Sequence, residues 1–317
     1  MRIIPTFLVL SLMLSLTFLN AQVVNTEKLN QLKSFVDSTG ANEMRVYHQG
    51  ELISSFLDPD CQKKMNTASM VKSWTGLVMG ALIDRGIIES EDEFTCKYLP
   101  EWKAGCENNV TIKHLLTMSA GINNKPANQS ILAQKDHNAF AMNLALDTPP
   151  GNKFSYSNES CQLLGIIMER ASGKHLQELY DKYLLSPLGI SDTELYNDQA
   201  GNHIAYGGTS TSIESAAKIG LMVLNDGMHE GKQIISKEWI ERSTTPSSAS
   251  SYYGYLWWVD TQNGNFTAMG DFGQMTIIFP EKELVFLRQQ SCNNSDPSQN
   301  MRWMGIPFIK MIADVIE

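Results

Sequence analysis

The chain has 317 residues, of which 43% are hydrophobic and 19% charged, so it is long and apolar enough to form a globular protein with a full core. Its formal net charge is −9 at pH 7, and it contains no basic run. This composition excludes the electropositive surface of a nucleic-acid-binding protein, so we expect no nucleic-acid partner.

Residues 1–21 have the pattern of a secretory signal peptide. Arg2 precedes an apolar run from Phe7 to Leu19, and Ala21 precedes Gln22. The run is short for a membrane span and is interrupted by serine and threonine. We therefore predict cleavage after Ala21, a mature chain without a membrane span, and a periplasmic or secreted location. A retained membrane anchor is the alternative.

The five cysteines all lie in the predicted mature part; they are Cys61, Cys96, Cys106, Cys161 and Cys292. In an oxidising compartment the close pair Cys96 and Cys106 can close a small loop, and the odd count leaves at least one thiol. Five free and mostly buried thiols are the alternative, because spacing alone does not fix connectivity.

The first elements of the mature chain are a helix, a hairpin and a buried helix. We predict a helix over Lys28–Ser38 and two strands, Glu43–Tyr47 and Glu51–Phe56, joined across Gln49-Gly50. The stretch 67–86 is apolar nearly all round, which is typical of a helix in the centre of a domain. Asn66 or Thr67 can cap its start, and Gly86 can end it in a left-handed conformation.

Helices dominate as far as about residue 215, and strands dominate after that. The predicted helices are Ile112–Met118, Ile131–Leu146, Cys161–Ser172, Leu176–Leu184, Ile213–Asn225 and a last one at Ile306–Ile316. The predicted strands are Tyr253–Val259, Phe266–Met269, Gln274–Phe279 and Leu284–Gln289. Of Trp257 and Trp258, which are adjacent on a strand, one would then face the core and the other the wall of a cleft.

Strands near both ends of the chain predict one antiparallel sheet flanked by helices, with a mainly helical part beside it. This is an α+β fold. We assign residues 22–75 and 215–317 to the α/β part and residues 76–214 to the helical part.

Ser69 and Lys72 form a Ser-x-x-Lys pair at the start of the buried helix. Residues three apart share one face of a helix, so Lys72 can act as a base for a Ser69 nucleophile if burial lowers its pKa. The same spacing occurs in penicillin-recognising enzymes. A capped helix with a surface lysine is the structural alternative.

Tyr156 and Asn158 lie two apart in a loop that leads into the Cys161 helix. A phenol can relay a proton if a nearby ammonium depresses its pKa, and the Asn158 amide can hold a substrate and the lysine. In the structural alternative, Tyr156 packs, and Ser157 or Asn158 caps the helix.

In these motifs the chain resembles the serine β-lactamase-related family, which includes class C β-lactamases, D-Ala-D-Ala carboxypeptidases, esterases and 6-aminohexanoate-oligomer hydrolases. Ser69-Met-Val-Lys72 matches the first motif of the family and Tyr156-Ser-Asn158 the second. Four further segments also resemble it: Thr111–Gly121, Gln162–Glu169, Ser186–Thr193 and Tyr253–Trp258. The resemblance implies a β-lactamase/penicillin-binding-protein-like fold with its site in a cleft between the two parts.

The resemblance also implies roles for these residues. Ser69 is the acylated nucleophile, Lys72 its base or electrostatic partner, Tyr156 the proton relay and Asn158 a substrate contact. The oxyanion hole combines the backbone N–H of Ser69 with one from the strand that carries the third motif.

The third motif departs from the family pattern of Lys-Thr-Gly or His-x-Gly. The matching residues are Ala268-Met269-Gly270, followed by Asp271. Gly270 lets the substrate lie against the strand, and Asp271 supplies the second oxyanion N–H. The basic residue that would meet a substrate carboxylate is missing, and Lys153 and Arg288 are weak candidates to replace it.

Other kinds of site find no support in the sequence. There is no Gly-x-Ser-x-Gly elbow and no phosphate-binding glycine loop. The six histidines (48, 114, 137, 175, 203 and 229) show no metal-ligand spacing, so we expect neither a metal nor a cofactor.

These observations predict a secreted serine hydrolase that forms an acyl-enzyme on Ser69 and cleaves a small ester, amide or peptide. One alternative is a penicillin-binding-like binding module that has lost turnover, an idea that Ala268-Met269 motivates. The other is a D-Ala peptidase or weak β-lactamase of cell-wall metabolism. The sequence leaves the natural substrate and the oligomeric state open.

Overall fold

The protein is described by a computed structural model over residues 22–58, 64–126, 129–290 and 306–317. The predicted signal peptide, Cys61 and Cys292 lie outside these ranges. No helix within them is long and apolar enough to cross a membrane.

The main sheet has six antiparallel strands from both ends of the chain, in the order β2-β1-β11-β10-β9-β8. Their bounds are Glu43–His48 for β1, Glu51–Leu57 for β2, Trp258–Asp260 for β8, Asn265–Gly270 for β9, Gln274–Phe279 for β10 and Leu284–Gln289 for β11. Strand β1 joins the two ends, because Glu43 pairs with Gln289 and His48 with Leu284. The predicted antiparallel sheet and the α+β class are confirmed.

Helices cover both faces of this sheet. On one face, α1 (Thr26–Asp37) and α10 (Ile306–Ala313) pack on a small apolar core that includes Leu32, Phe286 and Phe308. On the other face, α8 (Ile213–Leu224) and α2 (Val71–Asp84) belong to a larger core that continues into the helical residues. The site described below lies on this second face.

Helix α2 is the buried helix that the sequence predicts. All its residues from Val71 to Leu82 are buried, and Gly86 follows it with a left-handed φ of 65°. At Gly80 a side chain would meet the ring of Trp239 at 2.3 Å, so glycine is required there for close packing. A single 3₁₀ turn, Ala68–Met70, precedes α2 and carries Ser69.

The remaining elements are short, except for the 15-residue helix α6. They are α3 (Lys103–Glu107), α4 (Ile112–Leu116), α5 (His137–Met142), α6 (Asn158–Ser172), α7 (Leu176–Tyr180), α9 (Lys237–Ser243), the small sheet of β3 (Met65–Asn66), β4 (Glu194–Leu195) and β5 (Thr209–Thr211), and the hairpin of β6 (Met228–His229) and β7 (Lys232–Gln233). The division of the chain into an α/β part and a helical part stays a prediction.

A disulfide joins Cys96 to Cys106, so the predicted pairing of these two residues is confirmed and the alternative of five free thiols is wrong. Cys161 is free and buried. Burial raises the pKa of the Cys161 thiol to about 12, which keeps it protonated and unreactive at neutral pH.

Three predicted elements are wrong in extent. The helix predicted over 131–146 is a 3₁₀ turn followed by α5, because the Asp136 carboxylate caps a new helix start by accepting the Ala139 N–H at 2.9 Å. The strand predicted over 253–259 is interrupted by Leu256, whose φ is 64°. The helix predicted over 176–184 becomes a π-helix from Asp181 onward.

Candidate active site

Ser69 is held by the 3₁₀ turn that precedes α2. The Asn66 side chain accepts the Ala68 N–H at 2.8 Å, whereas Thr67, at the N-cap position, makes no side-chain capping hydrogen bond. Ala68 has a left-handed φ of 47°, an uncommon conformation for a residue with a side chain. This tight turn lies against the end of β9.

Lys72 lies within hydrogen-bonding distance of Ser69. Its Nζ donates to Ser69 Oγ at 2.7 Å and to the Tyr206 carbonyl at 2.7 Å. Only 1% of the residue is exposed, and burial lowers the pKa of Lys72 from 10.5 to about 8, although the charge of Asp271 counteracts part of this shift. A surface lysine, the structural alternative, is therefore wrong.

Tyr156 completes this group from the loop before α6. Lys72 Nζ lies 5.0 Å from the centroid of its ring, and Asn124 Nδ2 donates to its carbonyl at 2.8 Å. Burial raises the pKa of Tyr156, and a hydrogen bond with Ser69 offsets this only in part. The expectation that a nearby ammonium depresses this pKa is wrong, because loss of solvent dominates and keeps the phenol neutral.

Asn158 occupies a different position from the one expected. It is the first residue of α6, which Ser157 caps by accepting the Ser160 N–H at 3.0 Å. The Asn158 side chain is half-buried and makes no hydrogen bond among the described residues. The expectation that it holds Lys72 is therefore wrong, since the Tyr206 carbonyl accepts that bond. Its contact with a substrate stays a prediction.

Gly270 ends β9 directly beside the Ser69 turn. A side chain there would meet the Thr67 carbonyl oxygen at 2.4 Å and the Ser69 nitrogen at 2.9 Å. The space beside Gly270 is thus filled by backbone of this chain, which gives the glycine a packing reason that the sequence did not show. The exposed Asp271 follows at once. Substrate binding by either residue stays a prediction.

Ala268 lies on the same face of β9 as Gly270, because side chains alternate along a strand. It is fully buried, so the position of the family's basic residue is occupied by a methyl group in the core. Of the two candidate replacements, Lys153 is exposed in the loop before Tyr156.

Arg288, the other candidate, is fully buried. Its guanidinium donates to the carbonyls of Phe272 at 3.2 Å and Gly273 at 2.9 Å, and to Gln290 Oε1 at 2.7 Å. It therefore supports the turn after Gly270 from behind, and a role in binding a substrate carboxylate is wrong for it.

Sequence reasoning missed Tyr206. Its carbonyl accepts a hydrogen bond from Lys72, its ring centroid lies 5.6 Å from Lys72 Nζ, and its hydroxyl lies 3.0 Å from His137 Nδ1. The Thr75 hydroxyl, one turn after Lys72, donates to the Ala205 carbonyl at 2.6 Å. The adjacent glycines 207 and 208 mark a turn, but nothing in the sequence connects this turn to Lys72.

An aromatic cluster supports the other side of Tyr156. The Tyr156 ring stacks on Trp258 with centroids 5.7 Å apart, and Trp258 stacks on Tyr252 at 6.3 Å. Trp257 is buried and packs against Phe266. The expected division of the two tryptophans between the core and a more open surface is confirmed.

Comparison with known proteins identifies the family of this chain. A 6-aminohexanoate-dimer hydrolase of Paenarthrobacter ureafaciens is 24% identical over 88% of this chain and 79% of its own. Two solved structures share the fold. EstCE1, a hydrolase with promiscuous acyltransferase activity, matches with a TM-score of 0.72 and 14% identity over 92% of this chain and 97% of its own. An octameric penicillin-binding protein homologue from Pyrococcus abyssi matches with a TM-score of 0.65 and 21% identity over 89% and 80%. The family model described as Beta-lactamase matches residues 45–306, and the chain therefore belongs to the Beta-lactamase family.

Proposed function

We propose that the protein is a secreted serine hydrolase that forms an acyl-enzyme on Ser69 and cleaves an ester or amide. The observation that carries the proposal is the 2.7 Å contact between Lys72 Nζ and Ser69 Oγ at a lysine that is 1% exposed. A nucleophile with a base in hydrogen-bonding reach is the arrangement that covalent catalysis requires. Relatives named as hydrolases support the same reaction class.

In the first half of the reaction, the neutral amine of Lys72 takes the Ser69 proton while Oγ attacks the substrate carbonyl carbon. Since the pKa of Lys72 is about 8, roughly a tenth of the protein holds a neutral amine at pH 7. The backbone N–H groups of Ser69 and Asp271 stabilise the oxyanion, and each such donor contributes about 3–4 kcal/mol.

Tyr156 protonates the leaving group. Its phenol is neutral at rest, so it can give its proton as the bond to the leaving group breaks and regain one from the Lys72 ammonium. Water then takes the place of the leaving group and attacks the acyl carbon. The same groups accept the proton of this water and return a proton to Ser69 Oγ as the acid is released. No proton is gained or lost by the protein over the cycle.

The charges around the site favour a substrate without a carboxylate. Ala268 stands where the third motif of the family has a basic residue, and it is buried. The Arg288 guanidinium donates its hydrogen bonds to the turn after Gly270 and is not available to a substrate. The negative charge of Asp271 is close enough to raise the pKa of Lys72. A substrate carboxylate placed there would be repelled by Asp271. This argues against β-lactams and D-Ala peptides, which carry that carboxylate.

Export is supported by the Cys96–Cys106 disulfide, since such bonds persist in oxidising compartments. We therefore retain the proposal of a cleavable signal peptide and a periplasmic or secreted mature chain that begins at Gln22. The mass of the exported protein tests this directly, because a retained segment adds the mass of residues 1–21.

The test of function is the intact mass of the mature protein after brief exposure to a panel of small esters and, separately, to a penicillin. We expect turnover or an adduct with esters that Ser69→Ala abolishes, and no penicillin adduct. Acylation by penicillin would contradict the proposed substrate class and favour a cell-wall enzyme. Folded protein that reacts with neither would contradict the hydrolase and favour a binding module.

A further inference from the structure

Glu169, His175 and His203 converge at a second polar site, formed by the end of α6, the start of α7 and the loop before β5. Glu169 Oε1 lies 4.0 Å from His175 Nδ1 and 3.7 Å from His203 Nδ1. One ligand atom from each residue lies within 4.8 Å of the other two. The sequence does not reveal this group, because the three residues are far apart along the chain and match no metal-ligand spacing.

We propose that Glu169, His175 and His203 bind a divalent transition metal, with zinc as the expected ion. Two imidazoles and one carboxylate are a ligand set that zinc uses, at bond lengths of about 2.0–2.2 Å. Ligand atoms around a tetrahedral ion of that size are about 3.3 Å apart. Small side-chain rotations are needed to bring Glu169 Oε1 to this spacing from its present 3.7 Å to His203 Nδ1 and 4.0 Å to His175 Nδ1. Water would take the fourth ligand position of the ion.

Contacts behind the ligands orient two of the three. Glu169 Oε1 accepts the Leu176 N–H at 2.8 Å, which holds the carboxylate toward the histidines. The carbonyl of His203 accepts Gln162 Nε2 at 2.9 Å, which fixes the backbone of that residue. Such outer contacts orient metal ligands in proteins. The His175 side chain is 81% exposed and stands at the N-cap of α7, where it forms a capping box with Glu178.

The nearby cations do not compete with a metal, because each has its own acidic partner. Arg170 forms a two-pronged pair with Glu101 at 2.8 and 2.9 Å. Lys174 Nζ lies 4.0 Å from Glu178. The Glu169 carboxylate therefore remains available as the anionic ligand.

The site adjoins the segment that holds Lys72. From His203 the chain runs directly to Tyr206, and Gln162 bonds the segment at two points, His203 O at 2.9 Å and the Ala205 N–H at 3.1 Å. A metal bound to Glu169 and His203 would link α6 to this segment at a third point. The proposed effect is to hold residues 203–206 against α6 and so to keep the Tyr206 carbonyl in place for Lys72.

Calorimetric titration of the mature protein with Zn²⁺ alone tests the site. We expect one Zn²⁺ per chain at this site, at least tenfold weaker binding for His175→Ala and for Glu169→Gln, and no comparable binding of Mg²⁺, which prefers oxygen ligands. His175 is exposed and caps only the five-residue helix α7, so its replacement should cost no more than about 1 kcal/mol of stability. The Glu169→Gln variant keeps a side-chain oxygen that can still accept the Leu176 N–H. His229→Ala, on the β6–β7 hairpin, is the matched control and should bind zinc as the parent does.

Zinc binding that is unchanged in His175→Ala, or lost equally in His229→Ala, would overturn the site. Amide hydrogen exchange provides the second readout: Zn²⁺ should slow exchange at residues 204–206 in the parent protein and not in His175→Ala. Exchange there that is unaffected by bound zinc would overturn the proposed link to Tyr206. Neither measurement depends on ester hydrolysis, so the outcome is separate from that of the proposed function.

Discussion

Two buried cations near the Gly270–Gly273 turn have very different surroundings. Arg288 is fully buried, and its guanidinium has protein acceptors that include two carbonyls of the turn. Lys72 is 1% exposed and donates to one carbonyl and to the Ser69 hydroxyl. Burial lowers the pKa of Arg288 to about 10 and that of Lys72 to about 8.

The difference shows how burial can serve structure in one place and chemistry in another. A guanidinium stays charged at any physiological pH and binds several acceptors in a fixed plane, so Arg288 is suited to holding a turn. An ammonium with few acceptors loses its proton more easily when water is removed, so Lys72 can act as a base. The following predictions test this contrast.

The largest expected effect is on activity, in Lys72→Met. Loss of the base should lower kcat/KM for a small ester by about 10²–10⁴-fold. Thermal stability should be unchanged or higher, since a buried charge is replaced by an apolar side chain. Lys153→Met, at an exposed lysine in the loop before Tyr156, is the control and should change neither. Equal activity of the two variants would contradict the role of Lys72.

Arg288→Met should lower stability, the property that Lys72→Met leaves unchanged or raises. The carbonyls of Phe272 and Gly273 would lose their donor, so we expect the free energy of unfolding to fall by about 3 kcal/mol. Urea unfolding measures this change. Arg170→Met removes an arginine whose side chain is 36% exposed, and a loss of about 1 kcal/mol or less is expected there. A similar, small loss in both would show that Arg288 does not hold the turn.

Gly270→Ala should affect both activity and stability, because Gly270 contacts the Ser69 turn and begins the turn that Arg288 supports. The added methyl group would meet the backbone of Thr67, Ser69 and Met70 at 2.4–2.9 Å, and displacing Ser69 should reduce kcat/KM roughly ten- to hundredfold. At Gly207 the nearest atom to such a methyl group is the Ala68 carbonyl oxygen at 3.7 Å. Gly207→Ala is therefore the control and should keep most of the activity.

The pH dependence of kcat/KM tests whether burial makes Lys72 a base. If the neutral amine of Lys72 is the base, kcat/KM should rise about tenfold per pH unit below pH 8 and level off above it.

The lowered pKa of Lys72 also means that the unfolded chain binds more protons than the folded protein between pH 8 and 10.5. The stability cost of burying Lys72 is therefore fully present below pH 8 and is relieved as the pH rises through that window.

The smallest effect is expected from Asp271→Asn. The Asp271 charge raises the pKa of Lys72, so its removal should lower that pKa and move the acidic limb of the profile to lower pH, with a gain at pH 7 of less than about tenfold. Asp147→Asn, at another exposed carboxylate, is the control. A midpoint that moves to higher pH in Asp271→Asn would contradict this electrostatic coupling.

The predicted contact at the site that the structure contains joins two residues that are close together in the sequence. Ser69 and Lys72 are three residues apart, and their separation on a helix places the two polar atoms 2.7 Å apart. The predictions that failed concerned distant partners. Asn158 was expected to hold Lys72, but the acceptor is the Tyr206 carbonyl, 134 residues away along the chain.

The sequence by itself determined the order of the elements, the buried helix α2 and the antiparallel sheet from both ends. These follow from periodicity, capping and spacing, which consecutive side chains encode. The pairing of the Ser-x-x-Lys motif with the Tyr-x-Asn motif was implied by the resemblance to the family. Only the tertiary structure decided that Lys72 loses its water and Tyr156 stays neutral, that Gly270 contacts the Ser69 turn, and that Glu169 meets two histidines. Desolvation and contacts between distant segments depend on how the elements pack, and no local pattern in the chain records that packing.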